Sequence, residues 1–150
     1  MIKWITKINW GKTLLAGVIY TAVATVVHQI ETILPMKYYI DPQYFGVWSK
    51  LMMPKASPPP MEFFITSIVM SMVMGVCLAI VYYYIKDMLP KQTMKRVFMF
   101  ADLLIGLNFL FFTLPVYLMF NVPVVLLVSW FVSGFIILLA ASYINVKLLK

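Results

Sequence analysis

The chain has 150 residues, of which 63% are hydrophobic and only 11% are charged. Soluble domains carry about a quarter charged residues, so this composition excludes an ordinary soluble protein and predicts an all-α integral membrane protein. The net charge of +7 does not indicate nucleic-acid binding, because the basic residues flank the apolar segments, where they meet lipid head groups. The length accommodates four transmembrane helices in a single domain.

The first predicted span covers residues 13–34 and contains the most polar pair of any span, His28 and Glu31. Residues 1–12 predict a short interfacial helix or an extension of this span. We expect the segment to be retained, since its apolar part is too long for a signal peptide. One helical face of the span carries small and polar residues, which indicates contact with protein or water: Gly17, Thr21, Ala24, His28 and Glu31.

The longest connection, residues 35–62, is rich in aromatic side chains. Asp41 followed by Pro42 is a typical helix start, so this pattern predicts a helix over residues 42–53. Its apolar face predicts that it lies flat in the extracytoplasmic interface and covers the bundle. Residues 56–60, ASPPP, predict a stiff extended linker.

The second predicted span, residues 63–85, has a small residue at every fourth position. Such a row allows another helix to approach closely. The row consists of Ser67, Ser71, Gly75 and Ala79. Together with Gly17, Thr21 and Ala24 of the first span, these are the predicted helix-packing residues.

The third and fourth predicted spans cover residues 97–120 and 123–145. Pro115 predicts a kink near the end of the third span, because it cannot donate a hydrogen bond to the Phe111 carbonyl. A tight turn joins the two spans, and Pro123 opens the fourth.

The basic residues are distributed unevenly between the two sides of the predicted bundle. Of the 12 Lys and Arg residues, only Lys37, Lys50 and Lys55 belong to the side that carries the aromatic connection. The positive-inside rule therefore predicts that both termini are cytoplasmic, in the plasma membrane.

Depth along the spans, at a rise of ~1.5 Å per residue, indicates which polar residues can meet. Asp102 falls near the cytoplasmic interface, where Arg96 or Tyr143 could pair with it. A second group falls in the outer half, under the aromatic connection: His28, Glu31, Asn108, Ser67 and Ser129. We predict that His28, Glu31 and Asn108 contact a ligand covered by Trp48. The alternative is structural: His28 and Glu31 satisfy each other near the head groups.

The sequence offers few ligands or nucleophiles for chemistry. His28 and Glu31 supply two potential metal ligands, whereas a metal site needs three or four, so we predict no metal and no cofactor. Motifs of hydrolases, nucleotide-binding proteins, zinc proteases and thiol oxidoreductases are absent. We therefore name no catalytic residue.

The segment after the first span carries Tyr39, then Pro42, Phe45-Gly46 and Trp48. This order of an aromatic residue, a proline, Phe-Gly and a tryptophan resembles a group of small four-span membrane proteins of unknown function. The resemblance covers about ten residues together with the length and the number of spans. It implies the four-span architecture and brings no activity with it.

These observations lead to three functional hypotheses. The first is a non-enzymatic protein that associates through its helices, as an accessory subunit or a small homo-oligomer within the lipid bilayer. The second is a carrier or binder of a small lipophilic or protonatable ligand around His28 and Glu31. The third is an intramembrane enzyme that uses the same residues.

Overall fold

A computed structural model describes residues 8–53 and 58–149 of the chain. Four helical segments in this part are long and apolar enough to cross a membrane, which confirms the predicted all-α four-span architecture of an integral membrane protein. They are α1 (Trp10–Ile33), α3 (Met61–Ile85), a third span containing α4 (Thr93–Asn108) and α5 (Leu114–Met119), and α6 (Val124–Leu148). The short helix α2 (Met36–Tyr39) follows α1.

Successive spans alternate in direction, which gives the bundle two distinct ends. At one end, which we call the terminal end, the backbone N–H of Asn9 donates to the Tyr83 hydroxyl at 3.2 Å. At the same end, the Lys86 ammonium donates to the Leu149 carbonyl at 3.4 Å. The start of α1 therefore meets the end of α3 there, and the end of α3 meets the end of α6. The opposite end, which we call the loop end, carries the connection between α1 and α3.

Helices α1 and α3 cross at a pair of glycines. A Cβ atom added to Gly75 would lie 2.9 Å from the Gly17 Cα atom and 2.9 Å from the Tyr20 Cβ atom. Only glycine therefore fits at this crossing without moving the helices apart. Ala24 on α1 and Ala79 on α3 are also buried, whereas Thr21, Ser67 and Ser71 are half-buried. The small-residue row of the second span thus contacts α1 of the same chain at Gly75.

The main apolar core lies toward the terminal end. Tyr82 of α3 and Phe100 of α4 are fully buried there, with ring centroids 5.3 Å apart. Leu149 closes the core just after α6, and Ala16 of α1 contributes from the other side. All four spans meet in this core, so it holds the bundle together at one end.

The connection at the loop end is less helical than the sequence pattern predicts. Asp41 caps a helix that starts at Pro42, as predicted, but it is a 3₁₀ helix that ends at Val47 instead of an α-helix that reaches residue 53. Trp48 has an extended backbone, and its indole N–H donates to the Tyr39 carbonyl at 3.1 Å. This tertiary hydrogen bond and the packing of the ring replace the last turns of the predicted helix.

The third span changes its winding just before its proline. Residues Phe109–Thr113 form a π-helical turn between α4 and α5, in which the Leu114 N–H donates to the Phe109 carbonyl. Pro115 lacks an N–H, so the preceding turn has an unpaired carbonyl and widens readily. The irregularity predicted at Pro115 is therefore a π-turn placed immediately before it.

The predicted interfacial helix over residues 1–12 lies partly outside the described residues, as does part of the predicted linker at residues 56–60. Within the described part, Asn9 caps α1: its side-chain oxygen accepts a hydrogen bond from the Lys12 backbone N–H at 3.0 Å. Helix α1 therefore begins three residues before the predicted span.

Candidate functional site

Glu31 is a buried carboxylate in the last turn of α1, at the loop end. Its side chain is only 7% exposed and faces α6. The Ser129 hydroxyl donates to its Oε1 atom at 2.5 Å, and the Tyr39 hydroxyl lies 3.4 Å from both of its oxygens. Hydrogen bonds to a charged acceptor are short and strong, so Ser129 fixes the carboxylate against α6.

Tyr39 links this carboxylate to a second residue of α6. The chain turns back after Pro35, and α2 places the Tyr39 side chain over the end of α1. The Trp130 indole N–H donates to the Tyr39 hydroxyl at 2.6 Å, and that hydroxyl donates onward to Glu31. Burial, with Glu31 close by, raises the pKa of the Tyr39 hydroxyl well above its usual range, so Tyr39 stays a neutral donor.

Aromatic rings surround the polar contacts at this end. The rings of Tyr39 and Trp48 have centroids 5.1 Å apart, and those of Trp48 and Trp130 are 6.1 Å apart. Phe112, in the π-turn, lies 6.3 Å from Trp130. The resulting assembly is the Glu31 cluster, which consists of Glu31, Tyr39, Trp48, Ser129 and Trp130.

His28 lies apart from this cluster. Its side chain is exposed on the surface of α1, as is that of Gln29, whereas Glu31 is buried. Residues three apart on an α-helix differ by about 60° in direction. Near the edge of a helix–helix contact, that angle is enough to place one side chain inside and the other outside.

The remaining polar residues of the predicted outer group make contacts of their own. The Asn108 amide nitrogen lies 3.4 Å from where a Cβ atom on Gly134 would be, so Asn108 packs against α6. The Ser67 hydroxyl donates to the Phe63 carbonyl within α3 at 2.7 Å. Of the predicted ligand-contacting residues, Glu31 and Trp48 are thus brought together through Tyr39, whereas His28 and Asn108 are not part of that network.

Three members of the cluster, Ser129, Tyr39 and Trp130, were not among the predicted ligand-contacting residues, although Ser129 was placed in the outer polar group. Tyr39 and Trp130 were in neither set. A signal for each was present in the sequence. Tyr39 belongs to the aromatic segment after the first span, and Trp130 follows Ser129 in the outer part of the fourth. A tryptophan inside a span needs a partner for its N–H, and a nearby tyrosine hydroxyl is a suitable acceptor.

Asp102 stands outside this site, on the exposed surface of α4. Arg96, one of its predicted partners, directs its Nε atom to the Pro90 carbonyl at 2.8 Å. Tyr143 borders an open apolar groove of about 420 Å³ between α4 and α6. The groove is lined by Met94, Val97, Phe98, Ile136, Leu139, Ala140 and Tyr143.

The hydrogen-bond acceptor at the centre of the Glu31 cluster is the buried Glu31 side chain, and the groups that donate to it are the uncharged hydroxyls of Ser129 and Tyr39. Among the described residues, no group of three or more His, Cys, Asp or Glu side chains could hold a metal ion. Comparison with protein-family models, with curated proteins and with solved structures finds no match to this chain.

Proposed function

We propose that the protein acts without catalysis, by associating within the membrane with another membrane-embedded polypeptide, as an accessory subunit or a small oligomer. The observation that carries this proposal is Asp102, an exposed carboxylate well inside α4. A carboxylate on the lipid-facing side of a span is costly, although less so near the interface than at the bilayer centre, so such residues are usually paired with protein. A partner that covers α4 would remove this cost.

His28 supports the same proposal from another helix. It is exposed on α1 near the loop end, and Gln29 lies beside it. Two adjacent polar side chains on the outside of a span favour contact with protein over contact with lipid tails. The small-residue row of α3 gives no such support, because Gly75 touches Gly17 of the same chain.

The test is the mass of the purified protein in a mild detergent, measured by light scattering after size-exclusion chromatography. We expect a complex larger than one chain, and we expect Asp102→Ala to dissociate it. Asp87→Ala is the matched control, because Asp87 is an exposed carboxylate in the 3₁₀ turn that follows α3. A monomeric wild-type protein, or equal effects of the two substitutions, would contradict the proposal.

Glu31 favours a second candidate function, the binding or carriage of a small lipophilic or protonatable ligand. The carboxylate faces the bundle, and the side chains that donate to it, Ser129 and Tyr39, are neutral hydroxyls. These donors would solvate an ionised Glu31 without neutralising it. A protonated amine with an apolar tail would supply the missing charge and pack on the rings of Trp48 and Trp130.

Tryptophan fluorescence tests this candidate, because two tryptophans lie within the Glu31 cluster. Octylamine is the probe and octanol is the control of the same chain length. We expect octylamine alone to change the emission in a saturable way, and we expect Glu31→Gln to abolish that change. Equal responses to the two compounds would show partition into the detergent and reject the site.

We also propose that the chain lies in the plasma membrane with both termini in the cytoplasm. The concentration of Lys and Arg on the terminal side supports this orientation. Ser49 in the long connection and Lys91 in the short one are both exposed. In a Cys77→Ser background, a membrane-impermeant maleimide on intact cells should label Ser49→Cys and spare Lys91→Cys; the reverse pattern would invert the orientation.

A further inference from the structure

The open apolar groove between α4 and α6 lies toward the terminal end of the bundle. Met94 and Phe98 line it near the start of α4, and Tyr143 lines it near the end of α6. Along α6 the groove runs from Ile136 to Tyr143, a length of about 10 Å at ~1.5 Å per residue. It therefore begins near the ends of the spans and reaches toward the middle of the bundle.

The length of the groove favours a lipid chain over a protein helix as its occupant. One leaflet contributes about half of the ~30 Å hydrocarbon core, so a groove of about 10 Å covers most of the depth of one leaflet. A transmembrane helix of another protein would lie along the whole span, and the groove would match only about a third of it. An acyl chain enters from the head-group level, is flexible and ends within its own leaflet.

A cation is held at the terminal end of the groove. The Lys147 ammonium lies 5.5 Å from the centroid of the Tyr143 ring, and Tyr143 is a groove residue. Lys147 follows Tyr143 by one helical turn, so its charge lies beyond the apolar lining, toward the head groups. Lys91 and Lys95 are also exposed, and both are close in sequence to Met94 at the same end of the groove.

The start of α4 adds uncharged donors for an anion. Gln92 is its N-cap residue, but the Gln92 side chain makes no capping hydrogen bond, and the first turn carries no acidic residue. The first backbone N–H groups of a helix have no partner within the helix and carry a partial positive charge, which makes them a ready site for phosphate. Met94 belongs both to this turn and to the groove. The exposed Asp102 lies about 10 Å further along α4 than Lys95, away from this turn.

We propose that the groove binds an anionic phospholipid, with one acyl chain between α4 and α6 and its phosphate between Lys147 and the start of α4. Basic pockets between transmembrane helices suit anionic head groups. A zwitterionic head group is less suitable, because it brings a cation of its own to a site that already carries lysines. The site is complete within one chain, so it does not depend on the proposed association.

The head-group preference is tested by native mass spectrometry, which counts the lipid molecules bound to the protein in a mild detergent. The probe is dioleoyl phosphatidylglycerol, which is anionic, and the control is dioleoyl phosphatidylcholine, which has the same chains and no net charge. We expect one phosphatidylglycerol per chain to bind at least about fivefold more tightly than phosphatidylcholine. Equal binding of the two lipids would overturn the proposal.

Lys147→Gln tests where the head group lies. We expect it to weaken the binding of phosphatidylglycerol about fivefold, the effect of removing one lysine beside an anionic lipid. Lys37→Gln is the matched control, because the Lys37 ammonium also lies over a tyrosine ring, 4.9 Å from the centroid of Tyr38, but at the loop end. Equal losses from the two substitutions would show a general attraction to basic residues and would overturn the site.

Ala140→Phe tests where the acyl chain lies, because it fills the groove and changes no charge. We expect it to weaken the binding of phosphatidylglycerol about tenfold, the loss expected when about two methylene groups leave the groove. Ala22→Phe is the control on the exposed surface of α1. Circular dichroism establishes that both variants are folded. Full affinity in folded Ala140→Phe would overturn the proposal, and if this variant does not fold, the comparison of Lys147→Gln with Lys37→Gln decides.

Discussion

The two ends of the bundle pair most of their buried polar groups in opposite ways; the exception is the Thr113 hydroxyl of the π-turn, toward the loop end, which is buried without a hydrogen-bond partner among the described residues. At the loop end, the Glu31 carboxylate, the Tyr39 hydroxyl and the Trp130 indole N–H are joined in one hydrogen-bond network. At the terminal end, the Tyr82 and Ser142 hydroxyls are buried without a hydrogen-bond partner among the described residues, as is the Asn145 Oδ1 atom. The loop end is held by specific hydrogen bonds. The terminal end is held by apolar packing, which surrounds the unpartnered polar atoms.

This difference predicts how each end responds to the loss of a single oxygen. Removing one member of a complete network leaves its partners unpaired, at a cost of about 1–3 kcal/mol. Removing a hydroxyl that has no partner relieves the same kind of cost. Identical substitutions at the two ends should therefore change the stability of the protein in opposite directions.

Tyr39→Phe should have the largest effect. It removes the acceptor of the Trp130 N–H and one donor to Glu31, so we expect a loss of about 2–3 kcal/mol in the free energy of unfolding. The measurement is the unfolding midpoint in detergent micelles, followed by circular dichroism. An unchanged midpoint would show that the loop end does not depend on its polar network.

The same hydroxyl should make stability depend on alkaline pH. Because burial raises the pKa of Tyr39 in the folded protein, its contribution is complete below the ordinary tyrosine value of about 10 and is lost as the pH rises further. We expect the midpoint of the wild type to fall more steeply above that pH than the midpoint of Tyr39→Phe. If the midpoints of the two proteins fell in parallel above that pH, the loss of stability would come from residues other than Tyr39.

Ser129→Ala should have an intermediate effect, of about 1–2 kcal/mol. The substitution removes the shortest hydrogen bond to Glu31 but leaves Tyr39 in place. Ser142→Ala is the matched control, since Ser142 lies on the same helix and is fully buried without a partner among the described residues. A larger loss from Ser142→Ala than from Ser129→Ala would reverse the comparison between the two ends.

Much of the fold follows from the sequence because a membrane span is specified by a long apolar run. The four spans could be predicted this way, and counting depth along them brought Glu31 and Ser129 to the same level. Side-chain direction is harder, because the bundle has to be assembled before one knows that Glu31 is covered by a neighbouring helix and His28 is left exposed. The π-turn before Pro115 and the early end of the helix at Val47 likewise depend on contacts that a local pattern does not contain.

The sequence was also ambiguous about which small residues serve a partner. Gly75 on α3 and Gly106 on α4 both lie within apolar helical runs, where a small residue allows close helix contact. Gly75 meets Gly17 of the same chain, whereas a Cβ atom added to Gly106 would meet nothing within 4 Å in the described part of the chain. Two glycines with similar sequence settings therefore have different surroundings, and only the arrangement of the helices separates them.

Tyr82→Phe should have the smallest effect and the opposite sign to Tyr39→Phe. Both tyrosines are buried, but the Tyr82 hydroxyl has no partner among the described residues, while its ring packs on Phe100 at 5.3 Å. Phenylalanine keeps the ring contact and removes only the oxygen, so we expect the unfolding midpoint to stay equal or to rise, by up to ~1 kcal/mol in free energy. A fall in the midpoint would mean that the hydroxyl is paired, for example by a water molecule. In that case the terminal end would also contain a polar network. It would differ from the Glu31 cluster because water, and not a protein side chain, would supply the hydrogen-bond partner.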